Sequence, residues 1–100
     1  MARTAKVVAN ERRKQVVARY AERRAALRRA VRTAGTPAER EAAVRALSRL
    51  PRDASPVRVR NRDQVDGRPR GYVGKAGVSR ITFRRLAHRG ELPGITTSSW

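Results

Sequence analysis

The sequence has no cysteine, which excludes disulfide bridges and thiolate metal sites. Aromatic residues are almost as scarce: Tyr20, Tyr72, Phe83 and Trp100 are the four in 100 residues. Leu, Ile, Val and Phe together number 19, because 16 of the apolar residues are alanine. Below roughly 20% of these side chains, a highly charged chain buries too little area to offset its conformational entropy. A small, thin core is therefore expected. No run of about 18 apolar residues occurs, and no N-terminal segment has the hydrophobic centre of a secretion signal. Neither membrane spanning nor export is expected, and a cytoplasmic location follows.

Acidic residues are also few. Eight Asp and Glu face 25 Lys and Arg, leaving a formal net charge of +17. A compact surface of that charge repels itself, so the chain should gain order from a polyanion; RNA, DNA and an anionic membrane all qualify. Of the basic residues 22 are Arg and three are Lys. That bias suits bidentate phosphate contacts and stacking on bases, and it is equally what Arg-rich codon usage produces.

Chemistry of the catalytic kind finds no foothold. The one histidine, His88, sits among Arg84, Arg85 and Arg89, and the nearest thing to an acid cluster is Asp63 with Asp66. A core this small cannot enclose the pocket that two carboxylates would need, so no enzyme, cofactor or small-molecule substrate is expected.

What is present is mostly helix-forming. Residues 4–33 contain no Pro or Gly and are rich in Ala, Arg and Glu, predicting one long helix. Its apolar stripe is narrow, Val16, Tyr20, Leu27 and Val31, with Arg12, Arg13, Arg19, Arg23, Arg24, Arg28, Arg29 and Arg32 around it. Gly35 ends this element. Thr36-Pro37-Ala38-Glu39 reads as a capping box, and a second helix is expected over 37–49. Its face of Ala43, Val44, Leu47 and Leu50 can meet Leu27 and Val31 in a helical hairpin.

Leu50-Pro51 stops the second helix, and Pro51 and Pro56 predict an extended segment over 51–62. In extended geometry Arg58, Arg60 and Arg62 point the same way, a comb suited to a phosphate track. Between 67 and 77, Gly67, Gly71, Gly74 and Gly77 interleave with Arg68, Arg70 and Lys75, letting backbone approach RNA closely or turn sharply. Ser79 is the expected N-cap of a third helix, 80–89, with Ile81, Leu86 and Phe83 inward and Arg80, Arg84, Arg85 and Arg89 outward. Gly90 fits its C′ position, and a coil tail runs from 91 to 100.

Specific strings then carry a resemblance. Leu50-Pro51-Arg52-Asp53-Ala54-Ser55-Pro56, Arg60-Asn61-Arg62, Gly67-Arg68-Pro69-Arg70-Gly71-Tyr72, Ser79-Arg80-Ile81, Leu92-Pro93-Gly94 and the terminal Ser99-Trp100 stand in one order. In them the chain resembles the bacterial small-subunit ribosomal protein S-fourteen family, over essentially all of its length. Many members of that family hold zinc with a Cys-x2-Cys-x12-Cys-x2-Cys pattern. The matching positions here are Asp63, Asp66, Ser79 and Thr82, so the resemblance is to the long, cysteine-free form and no metal is expected.

The resemblance implies a mainly α fold with extended arms: an N-terminal helical hairpin, an extended basic linker, and a small zinc-ribbon-like C-terminal nucleus without zinc. Residues 1–50 are then a basic extension and 51–100 the family core. It also implies a place in the head of the 30S subunit on the 3′ major domain of 16S rRNA, beside ribosomal proteins S-three, S-ten and S-nineteen. With the thiolates gone, the Ser79 cap, packing of Tyr72, Ile81 and Phe83, hydrogen bonds from arginine to Asp63 and Asp66, and the RNA itself are what remain to hold the nucleus. Departures are Ala76-Gly77-Val78 where the family often has Phe-Gly-Leu, Arg85 where Glu is common, and a tail of 96–100 without the family's lysines.

The expected RNA contacts are Arg3, Lys6, Arg12, Arg13, Lys14, Arg23 and Arg28 in the first helix, and Arg52, Arg58, Arg60 and Arg62 in the linker. Arg68, Arg70, Tyr72 and Lys75 follow in the glycine-rich segment, then Arg80, Arg84, Arg85, Arg89 and Trp100. Two other readings use the same residues: a free nucleic-acid-binding regulator acting through helix 4–33, and a membrane-surface helix. The thin stripe argues against the second.

Overall fold

The computed structural model describes residues 2–99. Three helices dominate: α1 (Thr4–Thr33), α2 (Pro37–Ser48) and α3 (Arg80–His88). One antiparallel hairpin, β1 (Tyr72–Val73) with β2 (Val78–Ser79), precedes α3. The chain divides into two compact units, one of residues 9–59 and one joining the N-terminal segment up to Val8 with the chain from Arg60 onward.

In the first unit the helix boundaries follow their signals. Thr36 Oγ1 accepts the Glu39 N–H at 3.3 Å, and Pro37 opens α2. The capping box is half made, because the Glu39 carboxylate accepts the N–H of Gly35 rather than that of Thr36. Helix α2 ends one residue earlier than expected, with Arg49 as C-cap. Val31 of α1 and Val44 and Leu47 of α2 line one shallow groove, but Val44 stays 45% exposed, so the expected hairpin face is only loosely closed.

The half-buried or buried positions of α1 within this unit include Asn10, Arg13, Val17, Tyr20, Arg24, Leu27 and Val31. That is an alternating spacing of three and four, the periodicity of a helix seam. The expectation that arginines only surround the stripe is corrected: Arg13 and Arg24 occupy the seam itself. Arg13 does so because Asp53 is there to meet it, Nε lying 3.4 Å from Oδ1.

The expected extended segment from residue 51 is also corrected. Pro51 and Pro56 start two 3-10 turns, Arg52–Ala54 and Pro56–Arg58. Pro51 carries the φ that precedes such a turn, and the Ala54 N–H closes back on its carbonyl at 3.0 Å. Arg58 folds back to Asp53 at 2.7 Å, so the comb begins only after it.

The second unit is stapled more by polar groups than by apolar ones. Among the described residues of the whole chain the buried hydrophobic side chains are Ala54 and Val78, against buried Asn10, Asp63, Ser79 and Thr82. The thin core expected from composition is what forms. The glycine-rich segment is a hairpin rather than a loop, with Tyr72 opposite Ser79 and Val73 opposite Val78. The Gly77 N–H closes its turn on the Val73 carbonyl at 2.9 Å.

Helix α3 starts at its predicted cap, the Thr82 N–H donating to Ser79 Oγ at 3.3 Å. It stops at a Schellman motif in which Gly90, at φ 73°, donates to Ala87 O and Glu91 donates to Leu86 O. Ile81 is the exception to the expected inward face. It is 40% exposed, and Thr82, one helical step round, takes the inward place because a buried carboxylate needs its hydroxyl.

Candidate nucleic-acid interface

The second unit is organised around Asp63. One carboxylate oxygen accepts the Ser79 backbone N–H at 2.7 Å and the Thr82 hydroxyl at 2.7 Å. The other accepts the Val65 N–H at 2.8 Å, closing an Asx turn. Burial pushes the carboxyl pKa up, but the backbone donors of Ser79 and Val65 and the hydroxyls of Thr82 and Ser79 outweigh it. Asp63 is held well below the usual carboxylate range. It is thus a buried anion whose charge is met by dipoles, not by the arginines expected from sequence.

Asp63, Ser79 and Thr82, three of the four positions that the resemblance matches to a zinc-ligand pattern, are therefore joined directly by hydrogen bonds. The fourth, Asp66, accepts the Arg68 N–H at 3.0 Å, and its carbonyl accepts the Ala2 N–H. Two main-chain bonds add to the staple, Gln64 N–H to Gly77 O at 3.2 Å and Arg80 N–H to Gly71 O at 2.7 Å. Gly67 completes the loop at φ 74°, where a Cβ would lie 2.6 Å from a Val7 methyl. Among the described residues no group of three or more His, Cys, Asp or Glu could hold a metal ion.

Turning Asp63 inward has an electrostatic consequence. Residues 60–99 contain nine basic and three acidic residues. With Asp63 buried and Asp66 half-buried, the exposed charge of this unit is almost entirely positive. Arg70, Lys75, Arg80, Arg84, Arg85 and Arg89 are all exposed, whereas Arg68 and Tyr72 are half-buried. Arg60 Nε donates to Pro69 O and Arg62 Nη1 to Gly67 O, so these two arginines brace the loop 67–69.

Elsewhere Arg3, Lys6, Arg12, Lys14, Arg23, Arg28 and Arg52 are exposed. Lys14 is paired with Glu11 at 2.7 Å and Arg13 with Asp53, which leaves them less available than their neighbours. Helix α1 has no acidic residue in its first turn; Lys6 stands there, and Arg3 just before it. Cations at the positive end of a helix dipole are unfavourable unless an anion lies beside them. Trp100 lies outside the described residues.

Sequence reasoning missed the partners of Asp63 and the seam positions of Arg13 and Arg24. Thr82, three residues after Ser79 and one step from the cap, was the available signal for the first. A count of three-and-four spacing that admitted polar residues would have found the second.

The model of the family described as ribosomal protein S14p/S29e matches residues 46–99. Similar proteins named small ribosomal subunit protein uS14 include that of Cutibacterium acnes, 67% identical, and that of Tropheryma whipplei, 62% identical. That of Leifsonia xyli subsp. xyli is also 62% identical, and in all three comparisons 100% of both chains is covered. No described helix is long and apolar enough to cross a membrane. With more than half of its residues matched by the family model and relatives of this identity along its whole length, the chain belongs to the S14p/S29e family of ribosomal proteins.

Proposed function

We propose that this protein is a structural constituent of the bacterial ribosome, bound to 16S rRNA in the small subunit, where it contributes to translation by holding RNA in shape rather than by catalysis. The observation that carries the reading is the sorting of charge: basic residues face outward while Asp63 is buried and satisfied by dipoles. Such a surface neutralises closely spaced phosphates and releases their counterions. The relatives' names supply the particle.

The location is cytoplasmic and ribosome-bound. Within the subunit, the head is the proposed site, on the 3′ major domain of 16S rRNA and beside ribosomal proteins S-three, S-ten and S-nineteen. There the chain supports assembly and the tRNA-facing side. Residues 51–100 are read as the family core and 1–50 as a basic extension that adds phosphate contacts, with the compact units dividing instead at residues 8/9 and 59/60. The Asp63 knuckle with the hairpin and α3 is a metal-free counterpart of a zinc-ribbon nucleus, and no cofactor takes part. Among the expected contacts, those with exposed side chains carry the binding: Arg3, Lys6, Arg12, Lys14, Arg23, Arg28, Arg52, Arg58, Arg60, Arg70, Lys75, Arg80, Arg84, Arg85 and Arg89. The test is co-sedimentation with washed 30S particles, and persistent absence from them overturns the reading. A free regulator would instead need sequence-selective binding by helix 4–33 alone, and no feature of the structure favours that.

A further inference from the structure

Helix α3 and the tail after it enclose a groove of about 560 Å³. Arg80, Phe83, Arg84, Ala87 and His88 line it from the helix, at spacings that put them on one face, and Ile95 faces them from the tail. The floor is apolar, formed by Phe83, Ala87 and Ile95, and the rim carries two guanidinium groups and an imidazole. Hydroxyls of Thr96, Thr97 and Ser98 complete the wall. No acidic residue lines it, so its charge is unopposed.

This combination differs from a plain phosphate track. Phe83 is half-buried and Ile95 is 43% exposed, so an aromatic ring and an aliphatic side chain are offered to an occupant instead of being spent on the core. A duplex presents sugar and phosphate to a protein surface and cannot insert a base into a recess; an unpaired, unstacked nucleotide can. An apolar side chain from a protein partner would fill the floor and leave Arg80 and Arg84 without an anion.

We propose that this groove holds one unstacked nucleotide of RNA. Its base lies on the floor against Phe83, its phosphate meets Arg80 and Arg84, and the tail hydroxyls hydrogen-bond the base edge or the 2′-hydroxyl. The inference rests on the reading of the chain as an rRNA-binding protein. It adds a base-contacting site to what would otherwise be binding by charge alone.

The test uses small subunits reconstituted with the full chain, irradiated with ultraviolet light and digested with trypsin and ribonuclease. A nucleotide adduct is expected on the peptide from Ile81 to Arg84 or on that from Leu86 to Arg89. Ala87→Met fills the floor and keeps a good helix former, and Arg84→Ala removes half of the phosphate clamp. Each should lower adduct yield, by about tenfold for loss of a stacked base, while the chain still co-sediments. Adducts elsewhere in the chain, but neither on these peptides nor on the tail after Arg89, would overturn the groove assignment, as would a yield unchanged by Ala87→Met. A crosslink from these peptides to a neighbouring protein would assign the groove to protein instead. Absence of the chain from the particles overturns the ribosomal reading and this proposal with it.

Discussion

Replacing Asp63 by asparagine preserves side-chain shape and removes the charge on which the knuckle depends. The native carboxylate accepts from Ser79 N, Thr82 Oγ1 and Val65 N at 2.7, 2.7 and 2.8 Å. An amide has one acceptor oxygen, so in either orientation its NH2 group faces a backbone N–H. The less costly orientation keeps the oxygen on buried Ser79 and Thr82 and abandons Val65, whose exposed segment lets water take the N–H. Hydrogen bonds to a charged partner contribute about 1.5–3 kcal/mol each, so losing one and weakening two costs about 2–3 kcal/mol.

That is a large share of the reserve of a unit whose buried hydrophobic side chain, among the described residues, is Val78. Hydrogen exchange of the Ser79 and Thr82 amides should accelerate about 30- to 150-fold in the Asp63→Asn chain. If both amides exchange equally fast in the native and variant chains, the hub does not hold the unit and the reasoning fails. The pH dependence has a definite sign. Because the folded pKa of Asp63 lies below its unfolded value of about 3.9, its contribution is complete above about pH 5 and is lost as pH falls from there toward the folded value. The asparagine variant should lack that acid limb.

Other perturbations test separate parts. Gly67→Ala places a Cβ 2.6 Å from a Val7 methyl at φ 74° and should destabilise the second unit by about 1–3 kcal/mol, measured by thermal melting; an unchanged melting temperature would refute the close approach. The combined Asp63→Cys, Asp66→Cys, Ser79→Cys and Thr82→Cys chain should bind one Zn²⁺ and lose stability on chelation, because three of these side chains already converge. Binding of no metal in an equilibrium titration would show that Asp66 cannot close the set. Arg58→Ala with Arg60→Ala should lower RNA affinity modestly and flatten its salt dependence by roughly two counterions. An unchanged slope would confine these arginines to their internal partners Asp53 and the Pro69 carbonyl.

Helix boundaries were legible in the sequence because they rest on local chemistry. Pro37 cannot continue a preceding helix, Thr36 and Ser79 can cap one, and Gly90 can take the left-handed turn that ends one. Tertiary pairing was less legible. The Arg58, Arg60 and Arg62 alternation suggested one comb, yet Pro56 nucleates a 3-10 turn that sends Arg58 to Asp53. Two-residue strands carry no period to detect, so the hairpin at 72–79 was hidden behind its glycines. Ile81 outranks Thr82 on any hydrophobicity scale, but the buried site needs a hydroxyl more than a methyl group. Which basic residues touch RNA is the least legible, since 25 cations in 100 residues satisfy the composition rule almost anywhere.

The hydrogen-bonded Asp63 knuckle is a weaker crosslink than a structural metal site would be. A structural zinc contributes an apparent 10–16 kcal/mol to the fold of a small domain, whereas three charge-assisted hydrogen bonds contribute roughly 5–9 kcal/mol together. Hydrogen bonds alone therefore leave the knuckle short of a metal-bound one, in a chain that also opposes its own compaction with a net charge of +17. Both deficits would be removed by RNA at the proposed interface: phosphates beside the arginines of α3 and the cations at the start of α1 would neutralise them, and binding to the folded form alone would add its free energy to folding. A knuckle held by three hydrogen bonds suits a chain proposed to act on rRNA, because binding can supply the stability that the hydrogen bonds alone do not.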